Sequence, residues 1–286
     1  MRLKTYYPIP KFPPISLSGT RCQLSCQHCN REYLRGMIPA MTPETLLQTC
    51  RDLRDKGAIG VLVSGGSTLD GGILNMLEMR GAIRKAKAET GLILNIHPGL
   101  MDEATVQALS GAIDFVSLEI PSTETIRDVF GLDATTEDYV DTYHRMKAAG
   151  MNVMPHITIF DGTEGRLLSP LTSSSHPEVI VVIIFTPTRG TPMAEVAAPT
   201  PEMVNCVISR VKAMFPETEI SLGCMRPRIR ELRVALELAA LDAGVTRMEL
   251  PSQQTLDVAR ERGYTIERFD ACCALPGTLE AVASVS

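Results

Sequence analysis

The feature of this 286-residue sequence that most restricts its fold is a regular alternation of short apolar runs and longer amphipathic stretches. The apolar runs that predict strands are Ile15–Leu17, Ile59–Val63, Leu92–Ile96, Phe115–Glu119, Val153–Ile159, Val179–Phe185, Glu219–Leu222 and Arg247–Leu250. The amphipathic stretches that predict helices are Pro43–Lys56, Gly72–Glu89, Asp102–Leu109, Thr136–Ala149, Pro201–Met214, Arg228–Ala243 and Gln253–Arg262. Strands that alternate with helices are typical of parallel α/β sheets.

Eight such repeats favour a single parallel (βα)8 barrel of the TIM type over a doubly wound open sheet. No shift in composition and no linker divides the chain, so we predict one barrel domain over residues 1–273 and a weakly ordered tail over 274–286. We also expect Gly263–Asp270 to run back over the barrel mouth as part of a C-terminal extension. Reactive groups in such barrels lie at the carboxyl ends of the strands, so residues that follow strands are the candidates for chemistry.

The composition excludes several classes of partner. A formal net charge of −5 provides no electrostatic attraction to nucleic acid or to an anionic membrane surface. The longest apolar run, Val179–Phe185, is far shorter than the ~20 residues of a membrane-spanning helix. The first residues contain no apolar signal-peptide core. We therefore expect a soluble cytoplasmic protein that binds neither nucleic acid nor membrane.

The N-terminal cysteines form a compact motif directly after the first predicted strand. Cys22, Cys26 and Cys29 have the spacing C-x3-C-x2-C. Three thiolates on one loop can ligate three irons of a cubane iron–sulfur cluster and leave the fourth iron open to a small molecule. The alternative is a zinc site with a further ligand such as His28. A disulfide is disfavoured in a reducing compartment.

The other five cysteines fall into two sets. Cys224 follows the seventh predicted strand, and Cys272 and Cys273 are adjacent near the C-terminus. Cys50 and Cys206 stand alone in predicted helices, and we expect both to be buried packing residues, because free cysteine is among the most buried residue types.

The segment Cys22-Gln-Leu-Ser-Cys26-Gln-His28-Cys29 resembles the C-x3-C-x-φ-C signature of the radical S-adenosylmethionine (radical SAM) enzymes. The resemblance implies a [4Fe–4S] cluster whose open iron chelates the amino and carboxylate groups of SAM. It also implies an external electron donor, whose electron cleaves SAM to a 5′-deoxyadenosyl radical that abstracts a substrate hydrogen. His28 occupies the φ position, which the family places near the adenine.

Two further segments extend this resemblance. The residues Ser64, Gly65, Gly66 and Ser67 match the Gly-Gly-Glu region of the family, whose backbone meets the amino group of SAM. Ser67 stands where the family usually has glutamate. Glu119, at the end of the fourth predicted strand, corresponds to a polar residue that binds the ribose, with a structural salt bridge as the alternative.

Three other polar residues each have two candidate roles. His97 and His156 are each either a core histidine or a substrate contact. Arg189 either binds a carboxylate or forms a surface ion pair.

Within the superfamily, residues 12–273 are most similar to the biotin synthase, lipoyl synthase and methylornithine synthase group. Ser18–Met37, Gly223–Arg228 and the adjacent Cys272 and Cys273 resemble a subunit of the two-component lipoyl synthases. This resemblance implies sulfur insertion into an unactivated C–H bond of an octanoyl-lysine carrier protein, together with a paired radical SAM subunit.

Sulfur-inserting members carry an auxiliary iron–sulfur cluster as the sulfur donor, and the resemblance makes Cys224, Cys272 and Cys273 its candidate ligands. Arg226, Arg228, a serine or the substrate are open as the fourth ligand. The alternatives are that these cysteines are packing and tail residues, or that they bind zinc.

Two other functions compete with sulfur insertion. One is a sulfur-free radical rearrangement of a small amino acid, as in methylornithine synthase. The other is a non-catalytic iron–sulfur subunit for electron transfer, which the open coordination position of the first cluster argues against.

Overall fold

The computed structural model describes residues 1–173 and 176–285, which form two compact units. We call Ile9–Val153 together with Thr188–Pro192 the N-terminal unit. We call Met1–Pro8, Met154–Pro187 and the chain from Met193 onward the C-terminal unit.

Both units are built from parallel strands and helices. The strands are β1 (Arg2–Tyr6), β2 (Pro14–Ser16), β3 (Ile38–Pro39), β4 (Gly60–Ser64), β5 (Ile93–Ile96), β6 (Phe115–Glu119), β7 (Val153–Ile159), β8 (Val179–Ile184), β9 (Glu219–Leu222), β10 (Arg247–Glu249) and β11 (Thr265–Phe269). The helices are α1 (Pro43–Asp55), α2 (Arg80–Thr90), α3 (Glu103–Leu109), α4 (Thr123–Thr125), α5 (Thr136–Ala148), α6 (Pro201–Met214), α7 (Arg230–Asp242), α8 (Gln253–Glu261) and α9 (Glu280–Ala283). Within the described parts of the chain, no helix is both long and apolar enough to cross a bilayer. The predicted α/β class with parallel strands is confirmed.

The N-terminal unit has the strand order β3-β2-β4-β5-β6, and every pairing in it is parallel. Ile15 on β2 pairs with Val63 on β4, so the carboxyl ends of these strands lie side by side. The cysteine motif follows β2, and the glycine pair Gly65–Gly66 follows β4. The two segments therefore start from the same edge of the sheet.

Helix α2 begins later than the sequence pattern predicts. The prediction started at Gly72, whereas the helix starts at Arg80. Ser67 and Ile73 form an antiparallel bridge, and Asn75 has a left-handed φ of 67°, which a helix does not accommodate. The residues between β4 and α2 therefore form a loop before the helix begins.

The C-terminal unit has the strand order β11-β1-β10-β9-β8-β7, again with parallel pairings. β1 and β11 were not predicted, and β11 corrects one expectation. The described neighbours of β10 are β9 and β1. Closure of the strands into a single (βα)8 barrel stays a prediction. The segment expected to cross the barrel mouth instead forms β11, because its backbone pairs with β1 from Thr265 to Phe269.

A buried ionic cluster ties the C-terminal segment to this unit. The Arg247 side chain is fully buried; its Nε lies 2.8 Å from Oε2 of Glu219, and it also pairs with Glu280. Arg247 Nη1 donates to the carbonyl oxygen of Cys273 at 3.2 Å. Lys4 Nζ lies 2.9 Å from a carboxylate oxygen of both Glu219 and Glu280. Charged groups of β1, β9, β10 and α9 thereby neutralise one another around the buried Arg247.

The tail predicted over 274–286 contains helical structure where it is described. Gly277–Leu279 forms a 3-10 turn and leads into α9, and Ser284 bridges to Phe269. Leu275 and Ala283 are buried. Ser286 lies outside the described residues, and weak order of the segment stays a prediction.

Candidate functional site

The first cysteine of the motif is joined to the segment after β4. The Ser67 N–H donates to Sγ of Cys22 at 3.2 Å, and the Gln23 N–H donates to the Ser67 carbonyl at 2.8 Å. Two segments far apart in sequence are thus joined at the carboxyl edge of β2 and β4. The structure brings Cys22 and Ser67 together at this edge.

Gly66 makes that close approach possible. A Cβ atom at this position would lie 2.0 Å from the Arg21 carbonyl oxygen and 2.6 Å from Cβ of Cys22. Ser18, which sequence reasoning missed, holds the two segments in register: its hydroxyl accepts from the Gly66 N–H at 2.7 Å and donates to the Arg21 carbonyl at 2.7 Å. The only sequence signal for Ser18 was its position between β2 and the motif.

Cys26 and Cys29 lie on the next turn of the loop. The Cys26 thiol donates to the Phe130 carbonyl at 3.7 Å, and the Gln27 N–H donates to the Val129 carbonyl at 2.7 Å. The hydrogen bond from Cys26 lowers the pKa of the Cys29 thiol to about 7 and raises that of Cys26. Cys29 is therefore available as a thiolate near neutral pH, the form that binds metal.

His28 projects into an aromatic environment. Its ring centroid lies 5.3 Å from that of Phe130 and 6.3 Å from that of Tyr33. Burial lowers the pKa of His28 to about 4, so the ring is neutral at physiological pH. The Tyr33 hydroxyl lies 2.8 Å from Oγ1 of Thr188, which places exposed Arg189 beside the loop.

The other predicted SAM-contact residues line the same edge of the N-terminal unit. The Ser64 hydroxyl donates to the His97 carbonyl at 2.8 Å, and burial lowers the pKa of the His97 ring to about 4. Glu119 is half-buried at the end of β6, and its charge adds to the burial that raises the pKa of Tyr139. Gly65 is tightly packed, since a Cβ there would lie 3.2 Å from Oγ of Ser18. Their roles toward SAM stay predictions.

The second set of cysteines lies in the C-terminal unit. Cys273 is buried, and its hydrogen bond with Cys272 raises its pKa well above the ordinary value, with burial and nearby charge adding to the shift. Cys224 is exposed to solvent, yet desolvation by the surrounding protein raises its pKa to about 12, and the charges of Cys273 and Glu249 act in the same direction. The three residues thus gather in one region of this unit.

Of the two isolated cysteines, one prediction is confirmed and one is wrong. Cys50 is fully buried in α1. Cys206 is exposed, because the buried face of α6 is formed by Val204, Val207 and Val211, and Cys206 lies off that stripe. His156 is buried on β7 with Nδ1 3.0 Å from the Met154 carbonyl oxygen, as a core histidine would be.

The ligand atoms of Cys26, His28 and Cys29 all lie within 4.8 Å of one another. Among the described residues, no other group of three histidine, cysteine or acidic side chains meets this limit. The sulfur atoms of the three cysteines in the motif do not all lie within this distance of one another. Ligands of different irons in one cluster lie farther apart than ligands of a single ion, so the three thiols fit the donor chemistry of an iron–sulfur cluster.

The chain is similar to curated proteins and to solved structures. The chain is 22% identical over 233 residues to a biotin synthase of Methylococcus capsulatus, covering 78% of this chain and 71% of the relative. It is 23% identical over 235 residues to the biotin synthase of Marinobacter nauticus, covering 78% of this chain and 65% of the relative.

Among solved structures, methylornithine synthase matches with a TM-score of 0.58 and 22% identity, over 88% of this chain and 74% of that one. The FeFe-hydrogenase maturase of Carboxydothermus hydrogenoformans matches with a TM-score of 0.60 and 16% identity, over 93% of this chain and 67% of that one. At these identities the structures show a shared fold.

A sequence profile described as the radical SAM superfamily matches residues 16–165, a little over half of the chain. The matched region starts on β2 and includes the cysteine motif, the glycine pair and Glu119. This chain therefore belongs to the radical SAM superfamily, whose members use a [4Fe–4S] cluster and S-adenosylmethionine.

Proposed function

We propose that this chain is a sulfur-inserting radical SAM enzyme that acts on an unactivated aliphatic C–H bond. Its substrate in this proposal is an octanoyl-lysine carrier protein, on which it carries out lipoyl synthesis together with a paired radical SAM subunit and an external electron donor. A reducing cytoplasmic compartment suits free thiols in both cysteine sets. The observation that carries the proposal is the gathering of Cys224, Cys272 and Cys273 in one unit, separate from the first motif.

In this proposal Cys22, Cys26 and Cys29 hold the SAM-binding cluster. When bound, this cluster supplies the electron that cleaves SAM, and the resulting 5′-deoxyadenosyl radical removes a hydrogen atom from the substrate. The residues of the chain contribute by holding the cysteine motif in place. Gly66 lets the Cys22 segment lie against the end of β4, and Ser18 fixes the two segments with two hydrogen bonds of 2.7 Å.

Three parts of the N-terminal unit are assigned to SAM in this proposal. The backbone of Ser64–Ser67 offers polar groups next to Cys22 for the amino group. His28 provides a neutral ring that can stack against the adenine, since its low pKa keeps it uncharged. Glu119 provides a half-buried carboxylate for the ribose hydroxyls.

The auxiliary cluster is assigned to Cys224, Cys272 and Cys273. Such a cluster supplies the sulfur that forms the new C–S bond. The ligands come from the loop after β9 and from the segment after β11, and these parallel strands end at the same edge of the sheet in the C-terminal unit. Two of the four candidates for the fourth ligand of this cluster are arginines. Arg226 is buried and hydrogen-bonded, whereas Arg228 is exposed.

The decisive experiment counts iron and sulfide per chain after anaerobic reconstitution. Two cubane clusters correspond to roughly 8 iron per chain, and we expect roughly 4 in Cys272→Ala/Cys273→Ala, since each cluster contributes four. Cys206→Ala is the matched control, because Cys206 is exposed on α6 and belongs to neither set. About 4 iron in the unmodified chain and in all variants would rule out the auxiliary cluster.

The substrate is tested separately. The reconstituted chain, with and without a paired subunit, is given SAM, a reductant and an octanoyl-lysine peptide. We expect 5′-deoxyadenosine together with a peptide mass increase from sulfur insertion. Production of 5′-deoxyadenosine with no sulfur in the peptide would refute the assignment to lipoyl synthesis.

A second candidate function is a sulfur-free rearrangement of a small amino acid. The observation that favours it is the match of 88% of this chain to methylornithine synthase. It predicts one cluster per chain and unchanged turnover in Cys272→Ala/Cys273→Ala. The iron count above separates the two functions.

A further inference from the structure

Glu249, which sequence reasoning did not single out, ends β10 between the two segments that carry the second set of cysteines. On one side, β10 pairs with β9 in a register that joins Met248 to Leu222, two residues before Cys224. On the other side, Tyr6 of β1 pairs with both Glu249 and Phe269, three residues before Cys272. The strand order therefore places Glu249 between Cys224 and the cysteine pair.

Glu249 is a largely buried residue, and its carboxylate forms one long ion pair. The residue is 5% exposed. Among the residues that the structure describes, no N–H or O–H group donates to its carboxylate, and the nearest cationic atom is Nη1 of Arg226 at 3.7 Å. An ionised carboxylate away from water is costly unless it is paired and hydrogen-bonded or coordinates a metal.

Arg226 does not fill this need, because its guanidinium is committed elsewhere. Its Nε and Nη2 donate to Oε1 of Glu237 at 2.9 and 2.8 Å, and its Nη1 donates to the Gly223 carbonyl at 2.8 Å. Nη2 also donates to the backbone carbonyls of Glu249 and Leu250. These bonds hold the strand ends in place, and they remove Arg226 from the candidates for a fourth cluster ligand.

The neighbouring Glu237 shows what a satisfied buried carboxylate looks like in this unit. Glu237 is fully buried, and its oxygens accept from Arg226 and Arg233, from the Ser252 N–H and from the Thr255 hydroxyl. Glu249 lies nearby with none of these bonds to its side chain. The Glu249 carboxylate thus keeps acceptor capacity that the Glu237 carboxylate has used, and it can bind a further ligand.

The cysteines on either side of Glu249 indicate the nature of that ligand. Cys224 follows β9, which pairs with β10, and Cys272 and Cys273 follow β11, which is joined to β10 through β1. Arg247, two residues earlier on the same face of β10, donates to the Cys273 carbonyl at 3.2 Å and so fixes the cysteine pair beside this strand. Thiols and a carboxylate are thus gathered at the carboxyl ends of neighbouring strands, and both are donor groups that bind metals in proteins.

We propose that the Glu249 carboxylate is an oxygen ligand which, with Cys224, Cys272 and Cys273, completes the ligand set of the second iron–sulfur cluster. This inference rests on the auxiliary cluster of the proposed function. Thiolates are the soft ligands that suit cluster iron, whereas a carboxylate oxygen is a harder and weaker ligand for it. The iron at Glu249 is then the one most easily released when the cluster gives up sulfide.

The test uses the full chain with Cys22→Ala, Cys26→Ala and Cys29→Ala, so that all bound iron reports on the second site. This parent protein is reconstituted anaerobically with ⁵⁷Fe and sulfide, and its Mössbauer spectrum and the rate of iron loss to a chelator are measured. We expect roughly 4 iron per chain, with one iron spectroscopically distinct from the other three.

Two substitutions at Glu249 and one control substitution are each compared with the parent protein. Glu249→Gln should increase the rate of iron loss on the order of 10-fold or more, in the range seen when groups that support a metal site are removed. Glu249→Cys should keep the iron and abolish the distinct spectral component, since all four irons then have a thiolate. Glu164→Gln is the matched control, because Glu164 is a buried glutamate of the same unit whose oxygens already accept three backbone N–H groups.

The outcomes separate this inference from the proposed function. A parent protein that binds no iron, or one that keeps its iron after Cys272→Ala/Cys273→Ala, would overturn both. Iron that depends on the cysteines but shows the same spectrum and the same release rate in Glu249→Gln would overturn the Glu249 ligand alone. Because Glu249→Cys retains a metal ligand at the site, the inference stays testable even where Glu249→Gln folds poorly.

Discussion

Substitution of Gly66 by alanine is the sharpest test of how the first motif is held. The added Cβ would meet the Arg21 carbonyl oxygen at 2.0 Å and Cβ of Cys22 at 2.6 Å, and both are part of or next to the backbone. Because neither atom lies at the end of a flexible side chain, the loop itself must move. Overpacking of this kind costs about 1–3 kcal/mol, and the backbone contact puts Gly66→Ala at the upper end, about 3 kcal/mol.

The expected effect is large enough for simple assays. At about 2–4 °C per kcal/mol for a protein of this size class, Gly66→Ala should lower the melting temperature by roughly 6–12 °C. Movement of Cys22 away from its Ser67 partner should also lower the iron bound after reconstitution. Differential scanning calorimetry and iron analysis measure the two effects independently.

Two other glycines provide controls on a graded scale. A Cβ at Gly65 would meet atoms at 3.2 Å, so Gly65→Ala should lie between Gly66→Ala and the unmodified chain. Gly81, inside α2, has no atom within 4 Å of the added Cβ, and Gly81→Ala should raise stability by about 0.5–1 kcal/mol. A Gly66→Ala protein that has the same melting temperature as the unmodified chain and binds the same amount of iron would refute the reasoning.

Three further predictions concern other parts of the fold. Ser18→Ala leaves the Gly66 N–H without its acceptor and the Arg21 carbonyl without its donor, and we expect a loss of about 2 kcal/mol in urea unfolding; an unchanged midpoint would contradict it. Arg247→Met removes the buried guanidinium and leaves Lys4 as the cation for the partly buried carboxylates of Glu219 and Glu280, so it should cost about 3 kcal/mol, whereas a loss below 1 kcal/mol would show that the cluster is not needed. Burial lowers the pKa of His97 to about 4, below its unfolded value of about 6.5, so the unfolded chain binds more protons between these values. The free energy of unfolding should therefore fall as pH drops through this window, by up to about 1.4 kcal/mol per pH unit. In His97→Gln, the free energy of unfolding should depend less steeply on pH between pH 7 and pH 5. The same dependence on pH in both proteins would contradict the burial of a neutral ring.

Elements with strong local signals were predictable from the sequence. Helix α1 was placed within one residue of its end, because Thr42 caps it with a reciprocal bond to Thr45 and Pro43 starts its first turn. The buried run of β8 was equally clear, since a strand covered on both faces is apolar throughout. The N-terminal cysteine motif was recognisable because all of its residues lie on one loop.

Features that depend on pairing across the chain were not predictable. β1 and β11 carry several charged residues, such as Lys4 and Arg268, and they are strands because they pair with each other and because β1 also pairs with β10. The approach of Glu249 to Cys224 depends on the register of β10 against β9, for which the sequence contains no local signal. The exposure of Cys206 was mispredicted because a single cysteine does not report which face of α6 is buried.

The position of β1 has a consequence for how the protein is made. Its partners begin about 240 residues later in the chain, with Lys4 opposite Arg247 and Arg2 opposite Thr265. At about 5–20 residues per second, a newly synthesised β1 waits roughly 12–50 s for them, with its backbone groups unpaired. Every residue of the N-terminal unit, by contrast, has been synthesised once Pro192 is added. The loop of Cys22, Cys26 and Cys29 thus exists in full while Cys224, Cys272 and Cys273 are still untranslated, and translation itself sets the order in which the two sites become available to iron.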